Sequence, residues 1–117
     1  MECHYPNMGG LGKNPNHTVF GTLAVDHAVD AALKFAYKHP NTLILVTGNH
    51  DTGGLVSISN NSDPAHPHYQ YTASDTTTMP VCLYAVGPGS KKFSGLLDNV
   101  MIPRIISELW KLPASEQ

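Results

Sequence analysis

Long apolar runs are missing from this sequence: none approaches the roughly 20 residues that a membrane-spanning helix needs. Charge is scarce too. Lys and Arg total 7 against 9 Asp and Glu, a formal net charge of -2, so there is no basic footprint for nucleic acid or an anionic membrane surface. The two cysteines, Cys3 and Cys82, are too few for a disulfide scaffold and lack metal-type spacing. A bridge between them would need Cα atoms within about 7 Å, which spacing alone leaves open. No basic start leads into an apolar stretch, so no signal peptide is expected. With a hydrophobic fraction of 41%, the chain is also too apolar for a disordered tail. These exclusions leave one small globular domain over residues 1–117.

What is present comes in blocks. Residues 1–16 carry Pro6, Pro15 and clustered glycines without a period, and read as an irregular loop. From Thr18 onward, Val25, Ala28, Val29, Ala32, Leu33 and Ala36 recur at helical steps, Asp30 and Lys34 stand four apart, and His39-Pro40 stops the helix. Thr42–Thr47 is an unbroken apolar run suited to a strand buried on both faces of a parallel sheet. Gly48–Gly54 follows as a polar loop, and Leu55–Ser59 as a weaker strand. Residues 60–78 show no readable period. Val81–Val86 is the second clear strand, stopped by Gly87-Pro88-Gly89. After Asp98 or Asn99 as N-cap, Ile102, Ile105, Ile106, Leu109 and Trp110 mark a second amphipathic helix, with Pro103 in its first turn and a frayed tail from Pro113. The expected fold class is α/β: part of a mostly parallel sheet with two main flanking helices.

Ligands gather at the carboxyl ends of strands in such sheets, which points to Asn49, His50 and Asp51. Here the sequence becomes recognisable. Asn41–Gly54, NTLILVTGNHDTGG, resembles the alkaline phosphatase segment DTLIVVTADHETGG. Val81–Asn99, VCLYAVGPGSKKFSGLLDN, is similar to the same family's VPVFAYGPGAEKFSGLLDN. The helix with Ala24-Val25-Asp26 and Ala32–Ala36 resembles EVLAFDEAVKKALEFA, and residues 1–15 lie ungapped over VEGGRIDHAGHANDP. The likeness covers nearly the whole chain and corresponds to the family's C-terminal part only; the half with the nucleophilic serine has no counterpart.

The resemblance implies an alkaline-phosphatase-like fold and a family chemistry of phosphate monoester hydrolysis with two zinc ions and one magnesium. Position by position, the first zinc site would take its Asp at Asn7, its near His at Leu11 and its distant His at Ser74. The second would take its Asp at Asn49, with His50 retained; Glu2 matches the magnesium glutamate. An amide and a serine hydroxyl are poor zinc ligands and leucine is none, which leaves His50 and Glu2 as the weak metal candidates. Framework residues such as Gly53, Gly54, Gly87, Pro88 and Gly89 persist. Loss confined to metal chemistry fits a protein kept for its shape. The expectation is a non-catalytic pseudoenzyme that needs no cofactor and works as a binding or structural subunit, in a homo-oligomer or with a related chain. The alternative is a C-terminal piece of a phosphatase that needs an N-terminal half. By resemblance its place is extracellular.

Three further motifs carry less. His66-Pro67-His68 could grip a metal but reads as a solvated loop. Asn16-His17-Thr18 and Asn60-Asn61-Ser62 are glycosylation sequons, meaningful only on an exported chain. Gly87–Ser90 lacks the spacing of a phosphate loop and reads as a strand-ending turn.

Overall fold

The computed structural model describes residues 1–58 and 68–112. The elements run α1 (Tyr5–Leu11), α2 (Pro15–Lys38), β1 (Ile44–Thr47), β2 (Asp51–Thr52), β3 (Leu55–Ile58), β4 (His68–Tyr71), β5 (Thr76–Thr77), β6 (Leu83–Val86), a 3-10 turn at Ser90–Phe93 and α3 (Met101–Trp110). Contacts divide them into two units. The first holds Met1–Ala31 and Gly48–Cys82; the second holds Ala32–Thr47 and the chain from Leu83.

Glycine holds the first unit together. Among its described residues the fully buried ones are Gly9, Gly10, Gly21, Gly53 and Gly54, so backbones meet where side chains would otherwise stand. Gly9 lies against Thr18, Gly10 against the Thr52 carbonyl and Gly21 against Pro6. This explains why residues 1–16 are not the expected irregular loop. A glycine-rich segment is a poor helix former, yet α1 forms because its bare face docks onto β2. Pro6 sits harmlessly in its first turn. Likewise α2 starts at Pro15, earlier than the apolar period suggests, where Asn14 Oδ1 accepts the Asn16 amide at 3.1 Å.

Apolar side chains hold the second unit. Phe93 is 4% and Ile105 6% exposed, the two apolar side chains of the described residues that are fully buried. Ile102, Ile106 and Leu109 are half-buried beside Ile105, as their spacing predicts, and Leu109 covers Gly89. Trp110 departs from that expectation at 68% exposed. The N-cap is Val100, whose amide bonds Asp98 Oδ1 at 3.2 Å. The α2 helix ends as expected, with the His39 amide shared between Phe35 and Ala36 carbonyls.

The sheet corrects the sequence reading. All three ribbons are antiparallel and two-stranded: β1 with β6, β2 with β5 and β3 with β4. The mostly parallel arrangement expected from the apolar run at Thr42–Thr47 is not present. An unbroken apolar run reports burial on both faces, not direction; here Ile44, Leu45 and Val46 are half-buried. β4 and β5 lie within the region that showed no period, and Ser59 to Pro67, with the second sequon and His66, falls outside the described residues, as does the tail from Pro113. No described helix is long and apolar enough to cross a membrane.

Candidate functional site

The site expected at the end of β1 lies wholly in the first unit. After Gly48 the chain presents Asn49 and His50 at the surface, pairs Asp51 and Thr52 with Thr77 and Thr76 in β2–β5, then turns through Gly53 (φ 83°) and Gly54 (φ 56°). Asp51 ties the turn. Its Oδ2 accepts the Thr77 hydroxyl at 2.6 Å and the Gly54 amide at 3.1 Å, so the carboxylate is engaged in holding the loop.

Beside it runs a line of side chains. The Thr52 hydroxyl donates to Asn7 Oδ1 at 2.7 Å, and His50 Nδ1 lies 3.1 Å from the same hydroxyl and 3.3 Å from the Asp51 carbonyl. Asn7 and His50, set 43 positions apart in the chain on α1 and before β2, are thus joined through Thr52. The close approach of Gly10 to Thr52 brings α1 near enough for this.

The remaining expected positions do not join that line. Leu11 lies one turn along α1 from Asn7 and is exposed. Asn49 is exposed next to His50. Ser74 is exposed in the turn that brackets Gly53: the Ala73 amide donates to the Gly53 carbonyl and the Gly53 amide to the Asp75 carbonyl, each at 3.0 Å. Glu2 is exposed ahead of α1. Among the described residues, no group of three or more His, Cys, Asp or Glu converges as a metal site. His68 is exposed in β4, Asn16 is exposed in the first turn of α2, and Cys3 and Cys82 are not bridged. Thr52 and Thr77 escaped the sequence reading, because a lone hydroxyl leaves no pattern. Thr52 stands out only by its place before the paired glycines.

The same unit carries an apolar groove of about 180 Å³ between α2 and the β3–β4 ribbon, lined by Pro15, Thr18, Val19, Leu23, Leu55 and Tyr69.

In structure the chain is similar to alkaline phosphatase over part of that enzyme, and a C-terminal portion fits. Alkaline phosphatase from the Antarctic bacterium TAB5 is 30% identical with a TM-score of 0.82, covering 91% of this chain and 32% of that one. A variant of the TAB5 enzyme with one histidine replaced by aspartate and Mg bound in its M3 site is 27% identical with a TM-score of 0.80, covering 91% and 33%. The chain thus spans about a third of the length of the solved structures it matches. No protein-family model matches the sequence, and no curated protein matches it.

Proposed function

We propose that this segment is an alkaline-phosphatase-like binding or structural subunit without phosphatase chemistry of its own, assembled as a homo-oligomer or with a related chain. The observation that carries the reading is the bond from Thr52 to Asn7 at 2.7 Å. Where the family resemblance asks for a zinc-binding carboxylate, an amide oxygen instead accepts a hydrogen bond from a neighbouring hydroxyl. The donor set does not fit a zinc pair: amides at Asn7 and Asn49, an alkyl group at Leu11 and a hydroxyl at Ser74 leave His50 as the single good zinc ligand among these positions. Surface composition supports the association. Phe20 is 67%, Tyr37 91% and Leu96 90% exposed, apolar groups that a partner chain would cover.

Metal analysis of the purified chain, dialysed against a weak chelator, should find zinc far below one ion per chain. An aryl phosphate at alkaline pH should turn over at the buffer rate, since phosphoryl transfer of the family type needs its metals in place. Two zinc ions per chain, or turnover that disappears in His50→Ala, would overturn the reading and favour a working piece of a phosphatase.

A further inference from the structure

We infer that the residues at the former metal positions form a hydrogen-bonded clasp, Asn7–Thr52–His50, which fastens α1 to the β2–β5 ribbon in place of an ion. The inference rests on the reading above that the ligand set has been replaced, and goes on to say what does the fastening instead.

The direction of each bond follows from what each group can give. The Asp51 carbonyl only accepts, so His50 Nδ1, 3.3 Å away, carries the hydrogen. The same N–H faces the Thr52 oxygen at 3.1 Å, which therefore accepts from the ring. The Thr52 hydroxyl has one proton, and gives it to Asn7 Oδ1 at 2.7 Å. Donors thus run one way, from ring to hydroxyl to amide, with no two donors or two acceptors opposed. These contacts place a hydrogen on Nδ1 of the His50 ring. On either side, close backbone approach supplies the fit: a Cβ on Gly10 would run into the Thr52 carbonyl, and one on Gly53 would come within 2.8 Å of the Gly10 carbonyl oxygen. A metal site in these positions would draw α1 and the loop together through charge. Here hydrogen bonds between Asn7, Thr52 and His50 do so.

The test uses the full chain, labelled with ¹⁵N, at about pH 8, where imidazoles are neutral. Long-range proton–nitrogen spectra should report His50 as the Nδ1–H tautomer, and excess zinc or chelator should leave the melting temperature unchanged. Thr52→Val keeps the shape and removes the hydroxyl; it should lower Tm by about 4–8 °C and release the His50 tautomer. Combining it with Asn7→Ala should cost little more than either change alone, since both break one chain of bonds. Should Thr52→Val fail to fold, Thr52→Ser, which keeps the hydroxyl, should retain the wild-type tautomer. An Nε2–H ring in the unaltered protein, a saturable rise in Tm with zinc, or strictly additive variants would each overturn the clasp. Aryl phosphate turnover with the tautomer intact and Tm indifferent to zinc would remove the functional proposal and uphold the clasp. Zinc stabilisation with fewer than two ions bound per chain and no turnover would do the reverse.

Discussion

Replacing Gly87 with alanine should cost the protein about 2–6 kcal/mol, a large share of the stability a small domain has to lose. Gly87 closes β6 with φ at 108°, a conformation that L side chains rarely adopt, and an added Cβ would run into the Thr42 carbonyl oxygen. Both burdens fall on backbone, which cannot swing aside as a flexible side chain does. Conformational strain contributes about 1–3 kcal/mol and forced overpacking a similar amount. Gly95 separates the two effects. Its φ is 89°, yet nothing lies within 4 Å of the place a Cβ would occupy. Gly95→Ala should therefore show the conformational cost alone. Urea denaturation of the two variants side by side provides the measurement. If Gly87→Ala is no worse than Gly95→Ala, the contact with Thr42 is not what demands glycine there.

The second large effect concerns association. Light scattering of the purified chain at micromolar concentration should give at least twice 12.6 kDa, or an obligate complex with a related chain should be recovered from its source. Phe20 and Tyr37 stand 67% and 91% exposed on α2, so on a monomer Phe20→Asp and Tyr37→Asp would each change stability by less than about 0.5 kcal/mol. In an interface, buried aromatic anchors are worth about 2 kcal/mol or more, so at least one of these changes should weaken assembly roughly thirtyfold while helix content stays intact. The groove bordered by Val19, Leu23 and Tyr69 adjoins the same helix and adds apolar surface to it. A lasting 12.6 kDa species with no partner recovered, unchanged by either substitution, would reject the proposal.

Periodic patterns made half of this structure legible. In the α2 stripe Val25, Ala28, Val29, Ala32 and Ala36 are half-buried as their spacing requires, while Leu33 departs from it at 41% exposed, and the runs at β1 and β6 are strands. Period fails where an element is short or is made by contact. β2 and β5 have two residues each, too few to show alternation, and α1 exists because Gly9 and Gly10 allow backbone contact that no helix propensity records. Strand direction is not written in the apolar run for a related reason, since β1 pairs with β6, which follows in the chain only after the β2–β5 and β3–β4 region. As for the site, spacing alone does not connect Asn7 with His50; the family resemblance aligned them, and Thr52, which joins them, had no signal in the sequence.

The two-stranded ribbons have a consequence for solvent exchange. In an antiparallel pair, alternate amides along each strand point at the neighbour and the rest point outward. In β3–β4, where Leu55, Val56, Ser57 and Ile58 face Tyr71, Gln70, Tyr69 and His68, no third strand among the described residues receives the outward set. Deuterium uptake along this ribbon should therefore alternate, slow at one residue and fast at the next. A strand donated by another chain would slow the fast set alone, so the loss of alternation would mark, residue by residue, the edge on which the sheet had grown.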